Sequence, residues 1–201
     1  MGKKYELTEE TKEFYGRTLY RIKALKDFGD VEVGDLGGYI ESESNLMQEG
    51  CAWVYGNAMV YGSARVCDNA KVYGDAKVFD NANVYGDAKV FGNANVYGDA
   101  MVLGSADVCG SANVYGYADV RGDAEIKGKT DYIVFKNWWS SGRYFTWTRS
   151  NNMWKVGCFY GTGKELVEKA YKDSELSGRE YERVVKYVES ILADEKKQRK
   201  Q

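Results

Sequence analysis

The chain has 201 residues, 44% of them hydrophobic, with 23 glycines, no proline and a formal net charge of -2. That length can bury a sizeable core, and the near-neutral balance gives no electrostatic footprint for nucleic acid. The absence of any histidine removes both the usual acid–base group at physiological pH and the commonest metal ligand.

Residues 1–50 read as an N-terminal cap that leads into the next segment. Within YRIKALKDFGD and GDLGGYIESESNLMQEG a six-residue rhythm is loose, but Ile40 and Leu46 fall where later hexads carry alanine. From 51 to 128 the rhythm is strict, with thirteen consecutive hexads as in NVYGDAKVFGNANVYGDA. Alanine holds the second place from Ala52 to Ala124, and valine the fourth from Val54 to Val120, with Ile126 closing the series. In an extended strand residues two apart share a face, so Ala88 and Val90 point inward while Lys89 and Phe91 point outward. The Gly-Asp or Gly-Asn pair after each short strand supplies residue types that accept sharp bends and positive φ. One strand and one corner per hexad, repeated, predicts a coil with stacked flat faces.

These hexads resemble the hexapeptide repeat of left-handed parallel β-helices, in which three hexads complete a triangular turn. Crossover rules alone favour the right hand, so the left hand is what the resemblance implies. The expected fold is mainly β: about four and a half coils spaced ~4.8 Å apart, with Val54, Val72, Val90, Val108 and Ile126 stacked inside one face.

From 129 to 201 a C-terminal α+β domain is expected, with aromatic strand-like runs in DYIVF, GRYFTWTR and NMWKVGCFY followed by two helices. Thr162-x-x-Glu165 and Ser177-x-x-Glu180 are capping-box signals. Tyr181, Val184, Val185, Val188, Ile191 and Leu192 form one apolar stripe on the second helix. The layout of DFGDV and GDLGGYIE before the repeats, with DYI, VGCFYGT and a closing helix after them, is similar to a family of phage and prophage hexapeptide-repeat proteins. The resemblance implies a phage context and supplies no catalytic residues.

Many hexapeptide β-helices resemble one another as acyltransferases that use a histidine base, and the carbonic anhydrases of this fold use three histidines for zinc. This chain has no histidine to supply either chemistry, and a carboxylate such as Asp107 or Asp119 on an exposed strand has no cause for the raised pKa a neutral-pH base needs. Gly161-Thr162-Gly163-Lys164 lacks Walker spacing and is followed by Glu165. Cys51, Cys67, Cys109 and Cys158 form no CxxC pair, and Cys67 and Cys109 fall on different faces. No catalytic residue, metal or cofactor is assigned. With no leader or membrane-length run, a cytoplasmic protein is expected, in the host cytoplasm if phage-encoded.

Two groups remain as candidate sites. Trp138 and Trp147, interleaved with Arg143 and Arg149, suit stacking on a base and pairing with phosphate. Tyr61, Phe79, Tyr97 and Tyr115 form an outward aromatic ladder, which marks an oligomer interface, expected to build a homotrimer. The functional expectation is a non-catalytic oligomeric binding protein that sequesters a small nucleotide-type signal or otherwise inhibits a host defence protein. The alternatives are a structural scaffold or filament, and behind it an acyltransferase.

Overall fold

A computed structural model describes residues 2–139 and 142–198. Its centre is a parallel β-solenoid. Thirteen two-residue strands, β4 (Trp53–Val54) to β16 (Glu125–Ile126), recur every six residues, and each of β4 to β13 pairs in parallel with the strand eighteen residues on. Each hexad's alanine and valine, and the closing Ile126, are fully buried.

The inward residues form three faces. The first stacks Ile40, Val60, Val78, Val96 and Val114. The second stacks Leu46, Val66, Val84, Val102 and Val120. The third stacks Val54, Val72, Val90, Val108 and Ile126, the set expected from the sequence. Three faces of five residues make five turns, slightly more than the hexads alone imply.

Ile40 and Leu46 are register corrections. They occupy valine places, paired with Val60 and Val66 twenty residues on, because two extra residues lie between Leu46 and Ala52. Gly50 makes this possible. Its φ is +69°, and a Cβ there would lie 2.3 Å from the Asp68 carbonyl oxygen. Where Asp68 and Asp80 replace a corner glycine they too take positive φ, 58° and 59°. Each carboxylate accepts a hydrogen bond from the amide of the next coil, Gly86 at 3.0 Å and Gly98 at 3.3 Å, which offsets part of the left-handed strain.

A parallel coil has two chemically different ends. Each coil's amides donate to carbonyls of the following coil, as Trp53 N–H does to Ala70 at 3.0 Å. The first coil therefore presents carbonyls and the last presents amides. Donors close the first end. Strand β1 (Tyr5–Phe14) and strand β2 (Arg17–Ala24) form an antiparallel hairpin turned at Tyr15-Gly16, and β2 pairs with β3 (Leu36–Ile40), which enters the first face. From the segment before it, the fully buried Lys4 donates from Nζ to Ala52 O at 2.9 Å and Glu49 O at 3.3 Å. Tyr5 Oη donates to Leu46 O at 2.7 Å.

Acceptors close the second end. Asp119 N–H donates to Thr146 Oγ1 at 2.9 Å and Glu125 N–H to Ser150 Oγ at 2.7 Å. Lys127 and Gly128 amides both donate to Asp131 Oδ2 at 2.8 Å. Thr146 and Ser150 belong to an antiparallel meander of β17 (Tyr132–Lys136), β18 (Tyr144–Thr148), β19 (Met153–Val156) and β20 (Phe159–Gly161). Helices α1 (Gly163–Asp173) and α2 (Glu175–Gln198) cover its core of Phe145, Trp147, Trp154, Val156 and Leu166 with Val185 and Val188. Tyr181, Val184 and Leu192 of the stripe pack on that core, but Ile191 does not. Thr162 and Glu165 form the expected capping box. For α2 the cap lies three residues before the expected Ser177, because Ser174 Oγ accepts from the Ser177 amide at 3.1 Å.

Candidate ligand-binding cleft

A hollow of about 720 Å³ opens where the last coil meets the meander. One wall is the first face, with Tyr97, Asn113, Tyr115 and the corner Gly116-Tyr117; the other is Lys129, Tyr132, Val134 and Tyr144. Parallel register puts Tyr115 directly over Tyr97, ring centroids 5.3 Å apart and planes within 11°. Tyr117 stacks on Tyr144 at 4.3 Å and 17°, and the Lys136 ammonium lies 5.8 Å from the Tyr144 centroid. Tyr132 Oη donates to Asn113 O at 2.9 Å and joins the two walls. Burial pushes the Tyr132 phenol up to about 12, so it acts as a neutral donor at neutral pH. Tyr115 and Tyr117 remain 54% and 52% exposed. The lining offers ring faces, phenol hydroxyls, an amide and one ammonium, and no carboxylate or thiol. It can stack on a flat group and pair with an anion.

Tyr117 is a residue that sequence reasoning missed, although a signal was present. The first place of every other hexad holds Asn, Asp, Ser or Cys, and Tyr117 alone puts an aromatic there.

The four candidate ligand residues are not brought into this cleft. Trp147 is corrected to a core residue, 1% exposed, opposite Trp154 across β18 and β19, with Nε1 donating to Asn152 Oδ1 at 2.9 Å. Arg149 is committed within the chain. It forks onto Glu195 at 2.6 and 3.0 Å and donates from Nε to Thr130 O at 2.9 Å, which ties α2 to the meander. Trp138 is 84% exposed, edge-on to Trp139. Arg143 borders a separate hollow of about 240 Å³ with Cys158, Lys169 and Asp173.

The ladder expected as an oligomer interface is stacked within the chain at 4.8 to 5.3 Å from Tyr61 through Phe79 and Tyr97 to Tyr115. Tyr61 is corrected out of any such interface. It is 8% exposed beneath Phe14 of the N-terminal hairpin, centroids 5.6 Å apart. Tyr97 and Tyr115 belong to the cleft.

Asp119 is held by Arg121 at 2.6 and 3.0 Å and lies 3.8 Å from the buried Lys155. All four cysteines are free, and burial pushes the Cys67 and Cys109 thiols up. The start of α1 is filled by its own Glu165, whose carboxylate accepts from Thr162 N–H at 2.8 Å. Among the described residues no group of cysteine and carboxylate side chains is arranged to hold a metal ion, and no helix is long and apolar enough to cross a membrane.

Comparison with known proteins adds to the repeat. The family described as the YdcK beta solenoid repeat matches residues 52–68. The Escherichia coli K12 protein named "Uncharacterized acetyltransferase YdcK" is 39% identical over 61 residues, which are 26% of this chain and 19% of that protein. The chain thus spans about a fifth of the length of the curated relative it matches. Fold and comparisons agree on one identification: the chain carries a β-solenoid repeat similar to that of YdcK.

Proposed function

We infer that the protein is a non-catalytic binding protein whose cleft at the end of the coil holds a small nucleotide-type ligand. The observation that carries this reading is the pair of half-exposed rings, Tyr115 and Tyr117, set beside Lys129 in a hollow of about 720 Å³ without an acid–base or nucleophilic carboxylate or thiol. The base stacks on the tyrosines and the phosphate pairs with Lys129, a division of labour that aromatic and cationic side chains perform for single nucleotides. In a phage-infected cytoplasm, a protein of this kind would inhibit host defence by withdrawing a nucleotide signal.

Titration with cyclic dinucleotides, ADP-ribose and acetyl coenzyme A tests this. A nucleotide should bind and be recovered intact after heat denaturation, and Tyr115→Ala with Tyr117→Ala should weaken it about tenfold or more, since one stacked base is worth about 1–3 kcal/mol. Release of free coenzyme A, or of an altered nucleotide, would establish an enzyme instead and bring the chain closer to its relative's name. Absence of binding across the panel would end the ligand reading.

A further inference from the structure

The third face carries an outward charge pattern that the cleft does not explain. Parallel register aligns Lys71, Lys89, Asp107 and Glu125 in one row across four successive coils. Beside it runs a second row of Tyr73, Phe91, Cys109 and Lys127, with Tyr73 stacked on Phe91 at 4.7 Å. The first row is segregated: two lysines are neighbours, then two carboxylates. Like charges on adjacent strands repel, and alternation would have removed that cost within the chain.

The outer members have local partners, Lys71 with Asp30 at 2.7 Å and Lys127 with Glu125 at 2.9 Å. The central Lys89 and Asp107 have no ion pair within 4.0 Å among the described residues, and Asp107 Oδ1 is buried with no hydrogen-bond partner. Lys89 and Asp107, opposite in sign and in register on adjacent strands, thus leave their charged ends unjoined at the middle of the face.

We propose that this face docks a second copy of the same chain, packed face to face with the order of coils reversed. A two-fold axis along the strands, midway between the coils of Lys89 and Asp107, places Lys89 of each copy opposite Asp107 of the other and Lys71 opposite Glu125. In the neighbouring row the same operation places Phe91 opposite Cys109 and Tyr73 opposite Lys127, an apolar contact and a cation–ring contact. Such an interface is isologous, so one complementary half generates both. The first coil has no counterpart under this axis. That coil is also the one the chain covers itself, with Asp30 accepting from Tyr55 Oη at 2.8 Å and Phe28 against Trp53 at 5.3 Å.

Sedimentation equilibrium on the full chain at low ionic strength tests the proposal. The wild type should be a dimer, and Lys89→Asp and Asp107→Lys should each weaken it about tenfold or more through two repulsive contacts. An equimolar mixture of the two variants should recover a dimer of one copy of each, because every cross-copy pair is then opposite in charge. Circular dichroism of each variant confirms that the coil is intact. A wild-type monomer, a trimer, or variants that keep the wild-type mass would each overturn the proposal, as would a mixture that stays monomeric.

Discussion

Lys4 lies under the hairpin with its ammonium aimed at the open carbonyls of the first coil and 5.1 Å from the Phe28 centroid. Burial lowers its pKa from the ordinary 10.5 to about 8, with the neighbouring Lys26 acting in the same direction and Cys51 and Glu49 against it. Between these two values the unfolded chain holds a proton at this site that the folded chain has released. The contribution of Lys4 to stability is therefore lowest below about pH 8 and rises toward pH 10.5. In denaturant titrations of wild type and Lys4→Met, the stability difference should move in favour of the wild type across that window, by at most about 1.4 kcal/mol per pH unit. A difference that is flat with pH would show that the Ala52 and Glu49 carbonyls keep the ammonium charged.

At the scale of the element, what fixes the coil is the pairing of a small inward residue with a branched one, and what fixes its ends is hydrogen-bond polarity. Thr146, 2% exposed on β18, accepts from the Asp119 amide of the last coil. Thr146→Val keeps the shape and leaves that amide without its partner, so stability in urea should fall by about 1–3 kcal/mol, and hydrogen exchange at Asp119 should accelerate. An unchanged exchange rate would mean that the amide is satisfied elsewhere. The strict hexads were legible from sequence because one alanine and one aliphatic per strand leave no second register. The first coil was not, because the two-residue insertion before Ala52 shifts Ile40 and Leu46 from the alanine to the valine place while leaving their six-residue spacing intact. The α2 cap was missed for a similar reason: Ser174 and Ser177 both precede a helical run, and only the chain reversal out of α1 decides between them. The cleft was half legible. Tyr97 and Tyr115 were visible as outward rings, but their use depended on Tyr144 and Lys129 arriving from another domain. Trp147 and Arg149 were chosen on residue type, and burial and Glu195 had already claimed them.

For the whole molecule, the two closures determine whether the coil is a finite object. A carbonyl end and an amide end of the same cross-section are complementary, so open coils would add to one another without limit. In this chain Lys4 and the hairpin block the carbonyl end, and Thr146, Ser150 and Asp131 block the amide end. Each plug alone is sufficient to stop growth, since an added copy needs both an open donor end and an open acceptor end. A chain cut to residues 36–128 should therefore assemble end to end into fibres with a meridional repeat of about 4.8 Å. Chains missing only residues 2–35 or only 129–201 should stop at small species, and mixing those two should give short end-to-end pairs and no fibres. Electron microscopy and fibre diffraction read the outcome. Fibres from either single truncation would show that the remaining plug does not close its end, and an unassembled 36–128 fragment that keeps its coil would show that hydrogen-bond polarity at the ends is not what limits the solenoid.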